Sequence, residues 1–202
     1  MGGPRLHAPI ACPPGTPAVR GGALRDDLDL LEKHRAGLRD KVLGRIPAPL
    51  SRWFLESTRA EWCPLDAGGC LTDSTLEVLG ERQAYRFWVT GVTDHLLRPL
   101  LRPFVVGVKL IFHSEPARMV DMVPRGWCQI YRDACRVRVE HPGEGIATVF
   151  LDDIAREVAS RPSYLLNWRA RFEGIAATLD DQARLEWVEA DDKRSVEAHF
   201  RW

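Results

Sequence analysis

The chain has 202 residues, 45% of them hydrophobic and 28% charged, with Lys plus Arg and Asp plus Glu both at 28. These values fit one globular domain and exclude a disordered chain, and a net charge of zero removes any global electrostatic case for nucleic acid or an anionic membrane. The cysteines Cys12, Cys63, Cys70, Cys128 and Cys135 are an odd number in a long chain, which points to reduced thiols in a cytoplasm rather than a secreted disulfide framework.

Residues 1–23 hold ten Gly or Pro and no apolar periodicity, so they read as a disordered tail. Pro9-Ile-Ala-Cys12 has the outline of a lipoprotein box, but no apolar run precedes it. Residues 24–202 read as a single α+β domain, mainly helical over 24–133. Leu24, Leu28, Leu31, Leu38 and Val42 keep helical spacing until Pro47 stops them. A short second helix carries Trp53, Phe54 and Leu55. The stretch Cys63 to Cys70 reads as a loop from its Pro, Gly and Asp content. Asp73 then reads as the N-cap of a long central helix, striped by Val78, Tyr85, Val89, Val92 and Leu96. The most apolar stretch, His95 to Phe112, is interrupted by Arg98, Pro99, Arg102, Pro103 and Lys109. It is too broken to cross a membrane and reads as a buried joint. Two shorter helical pieces meet at Pro124.

Beyond Asp133 the apolar period falls from 3.6 to 2. Cys135, Val137 and Val139 alternate with charged residues, His141 to Gly145 form a turn, and Ile146 to Leu151 form a second strand. A helix entered at Pro162 follows, with Leu165, Trp168, Phe172, Ile175 and Leu179 on one face. Leu185 and Trp187, then Val196, Ala198, Phe200 and Trp202, make a closing hairpin around Ala190 to Lys193. The expected fold is therefore α+β: N-terminal helices, then a ββαββ antiparallel unit over 134–202 with helices packed on one face.

Leu79-Gly80, Phe87-Trp88, Pro124-Arg-Gly-Trp127 and the terminal His199-Phe-Arg-Trp202, in this order of elements, resemble a paralogous family of myxobacterial proteins of similar length and unknown function. From near residue 50 to the end, the layout is similar to the superfamily of 4-vinyl-reductase-type domains, haem-NO-binding domains and TRAPP tethering subunits. The resemblance implies a small-molecule-binding or protein-interaction module, often dimeric and attached to signalling. Haem-binding members carry Tyr-x-Ser-x-Arg. Here the nearest stretch is Tyr131-Arg-Asp-Ala-Cys135, which lacks the Ser and the Arg, so haem is not expected. Members of the 4-vinyl-reductase type use clustered cysteines for metal.

Cys128 and Cys135 are the zinc candidates, although six residues between ligands exceed the usual knuckle spacing; as buried small hydrophobes they need no metal. Cys70, placed by this reading beside a helix N-terminus, is the reactive-thiol candidate. No histidine recurs at ligand spacing, and the paired acids Asp26-Asp27, Asp152-Asp153, Asp180-Asp181 and Asp191-Asp192 sit where turns and helix starts want Asp. Phosphate-binding, dinucleotide, serine-hydrolase and zinc-protease motifs are all missing. Arg136 and Arg138 share one strand face, with Arg132 just before, and could clamp an anion or simply meet solvent. Among seven Trp, Trp62, Trp88 and Trp127 fall outside the obvious core stripes.

The leading expectation is a non-enzymatic cytoplasmic module that binds a small apolar ligand or a protein, self-associates as a homodimer, and acts in signalling or assembly. Its ligand groove would lie between the central helix and the sheet, lined by Tyr85, Trp88, Val92 and Phe112; core packing of those four residues is the plainer alternative. A scaffold subunit without a pocket is the second reading, and a zinc- or thiol-dependent enzyme the third.

Overall fold

A computed structural model describes residues 12–96, 116–179 and 182–202, with the side chains of 94–96 excepted. Residues 1–11, most of the apolar stretch ending at Phe112, His113, and Asp180-Asp181 lie outside the described residues. The elements run β1 (Ala18–Arg20), α1 (Gly21–His34), α2 (Leu38–Leu43), α3 (Ala48–Glu56), β2 (Trp62–Pro64), α4 (Leu65–Leu79) and α5 (Glu81–Leu96). They continue as α6 (Pro116–Asp121), α7 (Val123–Ile130), β3 (Tyr131–Arg132), β4 (Arg136–Gly143) and β5 (Ile146–Asp152). The last are α8 (Arg156–Ala159), α9 (Pro162–Leu179), β6 (Arg184–Glu189) and β7 (Val196–Arg201).

The expected α+β class and ββαββ unit are present. β4–β5 and β6–β7 are antiparallel hairpins joined through β5–β7, giving the order β4-β5-β7-β6. Ala147, Val149 and Leu151 of β5 and Val196, Ala198 and Phe200 of β7 are buried on one face. There α9 packs on the sheet, its Phe172 ring 5.5 Å from Trp187 and 6.0 Å from Phe200. Arg138, Glu140, Glu197 and Arg201 turn to the opposite, open face, as a period of 2 requires. β4 runs on to Gly143 through an irregularity after Glu140, so the turn tightens to Glu144-Gly145, with Gly145 at φ 68°.

Several local expectations are corrected. Residues 18–23, assigned to the tail, instead form β1 and the first turn of α1. Their glycines serve close approach rather than disorder. The Gly21 and Gly22 amides donate to the Glu61 and Arg59 carbonyls at 2.7 and 3.0 Å, and a Cβ at Gly21 would stand 2.8 Å from the Thr58 carbonyl oxygen. The first helix breaks at Gly37, at φ 74°, whose amide is held by the Glu32 carboxylate.

The expected loop from Cys63 to Cys70 is a strand followed by a helix. α4 begins at Leu65, so Asp73 is mid-helix rather than an N-cap, and Gly80 at φ 73° separates α4 from α5. Gly68 and Gly69 lie inside α4 because β1 and α9 press against it. A Cβ at Gly68 would meet Val19 Cγ1 at 2.7 Å, and one at Gly69 would meet the Tyr164 ring at 2.9 Å.

A second, three-stranded sheet, β2-β1-β3, was not anticipated. Val19, Cys63 and Tyr131 point into the core from one face. Arg20, Trp62 and Arg132 occupy the other. Both Trp88 and Trp127 are core residues, at 2% and 8% exposure.

Candidate functional site

The residues named for a groove are distributed by α5. Tyr85 and Val92 share the stripe that faces α9, and Val92 packs there against Gly174, where a Cβ would come within 2.9 Å of Val92 Cβ. Because α9 lies between α5 and the sheet, the seam that receives Tyr85 is helix against helix. Trp88 is buried one turn further on. Phe112 lies outside the described residues. Around Tyr85 the seam opens into a shallow, solvent-open recess of about 460 Å³ lined by Glu81, Arg82, Arg86, Leu166, Arg169 and Glu173. The Tyr85 hydroxyl donates to Glu173, and the Arg169 guanidinium lies 6.0 Å from the ring centroid. Burial, then the Glu173 carboxylate, raises the Tyr85 phenol far above its ordinary range.

Cys128 is exposed on α7, whereas Cys135 is half-buried and its thiol is pushed up to about 12, chiefly by burial. Among the described residues no group of three or more His, Cys, Asp or Glu is placed to hold a metal. Cys70 sits in the second turn of α4, where its thiol donates to the Asp66 carbonyl at 3.5 Å. The reason given for its reactivity, a helix N-terminus beside it, therefore does not apply. Cys63 is fully buried and burial raises its thiol strongly, which makes it a poor nucleophile.

The three arginines near the first strand of the large sheet do not act together. Arg136 pairs with Asp153 at 3.2 Å, and Arg138 lies 3.6 Å over the Phe150 ring while bonding Asp152 at 3.0 Å. Arg132 turns away to the small sheet. There it donates to the Pro13 carbonyl at 3.0 Å and lies 5.1 Å over Trp62, whose ring also receives Arg20 at 4.4 Å.

The interior between α7, β3 and α9 is filled with rings. Trp127 stands 4.6 Å from Tyr131, 4.7 Å from Trp168 and 5.8 Å from Phe172. Burial raises the phenols of Tyr131 and Tyr164, and the Tyr164 hydroxyl donates to the Leu65 carbonyl at 2.8 Å. Beside this cluster one terminal guanidinium nitrogen of Arg171 donates to both Asp27 carboxylate oxygens, at 2.7 and 2.6 Å, and its Nε donates to the Asn167 side-chain oxygen at 3.0 Å. Sequence reading missed this pair, because nothing local relates residue 27 to residue 171.

No protein-family model and no curated protein matches the chain. Solved structures do. An unliganded Fe(II) H-NOX protein from K. algicida matches at 13% identity and TM-score 0.59, over 90% of this chain and 95% of that one. The fold is that of the H-NOX proteins. A mutant of T. Tengcongensis H-NOX matches at 12% identity and TM-score 0.52, over 90% and 96%. A structure addressing modulation of haem redox potential through protein-induced porphyrin distortion matches at 14% and 0.53, over 91% and 99%. At these identities the likeness concerns the fold.

The H-NOX likeness corrects one expectation. Haem was set aside because Tyr-x-Ser-x-Arg is absent, yet the chain shares its fold with structures concerned with haem redox potential and haem distortion. The missing motif does not exclude that group. An iron porphyrin needs an axial ligand and an enclosed apolar seat. The described residues supply an aromatic interior, but their own rings fill it. They do not supply a histidine ligand, since His34 lies at the edge of Phe87, His141 bonds Asp121, and His199 bonds Thr148 on the open sheet face. His7, His95 and His113 lie outside the described side chains. At the motif positions stand core-facing Tyr131, Asp133 at φ 52° and Cys135.

Proposed function

We propose that the protein is a non-enzymatic cytoplasmic module that binds a small ligand and passes its occupancy to signalling or assembly partners, itself included. The observation that carries this reading is the H-NOX fold spanning 90% of the chain. Haem is the ligand those neighbours bring forward. None of the constellations expected of a hydrolase or nucleotide enzyme occurs in the sequence, which favours binding over catalysis. Among the described residues no helix is long and apolar enough to cross a membrane.

The test is native mass spectrometry and an absorption spectrum of the protein as isolated and after incubation with hemin. A mass gain with a Soret band supports the reading and directs substitution to His7, His95 and His113 in turn. The scaffold reading is favoured by one observation, the close-packed rings of Trp127, Tyr131, Trp168 and Phe172. A protein that stays apo with hemin and with cell extract, while forming a defined oligomer, decides for the scaffold.

A further inference from the structure

We propose that the recess on the α5–α9 seam binds a small organic anion, a carboxylate or phosphate ester whose flat apolar body lies on Tyr85 and Leu166. This site lies outside the ring-filled interior and stands or falls independently of haem binding.

Three arginines, Arg82, Arg86 and Arg169, line this shallow, open recess. Arg82 and Arg86 are four residues apart on α5, and Arg169 comes from α9. Like charges at that spacing repel one another and weaken the helix that carries them. Neither the Arg82 nor the Arg86 guanidinium has an ion pair or hydrogen bond among the described residues. Of the two carboxylates at the recess, Glu173 is taken by the Tyr85 hydroxyl. Against the three guanidinium charges stand the Glu81 and Glu173 carboxylates, so the recess carries one net positive charge beside the Tyr85 and Leu166 side chains.

A guanidinium offers a planar fork that matches a carboxylate or phosphate with two parallel hydrogen bonds. Arg82 and Arg86 are free to swing onto an anion, while Arg169 is already drawn toward the Tyr85 ring. The Tyr85–Glu173 bond fixes the phenol, so the ring forms a ready surface for a flat body. The tight crossing at Gly174, where a Cβ would come 2.7 Å from the Val89 carbonyl oxygen, holds the two helices in register and keeps the three arginines on one side.

Isothermal titration of the full chain with phenyl phosphate tests the proposal. Expected are one saturable site in the millimolar range or tighter, loss of about tenfold in affinity for Arg86→Ala, and a larger loss for the Arg82→Ala/Arg86→Ala pair. Arg86→Lys should fall between, because it keeps the charge and loses the fork. Inorganic phosphate should bind more weakly than phenyl phosphate, and phenol should not bind. Absence of saturation, or unchanged affinity in the double variant, overturns the site. Equal binding of inorganic phosphate overturns the role given to Tyr85 and Leu166. All three arginines are exposed, so a thermal midpoint no lower than that of the parent chain verifies that the variants fold.

Discussion

The two sheets are held together in different ways. In the large sheet each outer strand is tied to its neighbour by a short turn, and only β5–β7 joins distant chain segments. In the small sheet both pairings of β1 are remote, Ala18 meeting Pro64 on one side and Arg132 on the other. Closing such long loops costs entropy that local turns avoid. The small sheet therefore depends on what packs behind it, namely α4, α9 and the rings around Trp168. On that account the molecule should open first on the side carrying β1, β2 and β3.

The most damaging substitution removes what the small sheet leans on. Trp168→Ala should cost about 3–5 kcal/mol in chemical denaturation, and hydrogen exchange should speed up at β1 and β3 before β5 and β7. Uniform acceleration in all strands would show the two sheets opening as one unit. Gly68→Ala follows, at about 1–3 kcal/mol, because the new methyl meets Val19 and overpacks the α4–β1 contact. A neutral result would mean that β1 can retreat without loss.

Alkaline pH bears on both sheets. Cys63 and Tyr131 of the small sheet, and Cys135 next to the large one, all have raised pKa values from burial. For an acid held protonated in the folded state, the unfolded chain releases its proton first, so stability falls as pH rises. For Cys135 the fall spans the ordinary thiol value of 9.0 to about 12. Denaturation midpoints should be level around neutrality and decline above that lower value, with Cys135→Ala making the decline shallower. A decline of unchanged slope would remove Cys135 as a contributor. The smallest effect belongs to the open face of the large sheet. Arg138→Ala, which loses the Phe150 and Asp152 contacts, should cost less than about 1 kcal/mol in thermal unfolding because the pair is partly solvated.

Legibility in the sequence divided along the same line as the sheets. The alternation of Val137 and Val139, and of Val196, Ala198 and Phe200, was readable because a strand with one dry face shows its period locally. The α9 stripe was readable too, although the helix proves buried on more than one side, with Ser163, Tyr164, Asn167 and Ala170 also covered. By contrast, Gly68-Gly69 carry a loop signature and Gly21-Gly22 a tail signature. Their meaning changes once a neighbouring strand or carbonyl comes within a methyl's width. Part of the recess was legible, since Tyr85 was named; its arginines were not, because Arg169 reaches the site only after α9 docks on α5.

Local sequence was therefore enough for the α+β class, both hairpins of the large sheet and the helix between them, because period, turn residues and charge placement act within a few residues of one another. The small sheet, the start of α4, the Arg171–Asp27 pair and the placing of Arg169 beside Tyr85 were settled only by tertiary packing. Those features follow from close approach of segments far apart in the chain, which the order of residues does not encode until the core has formed.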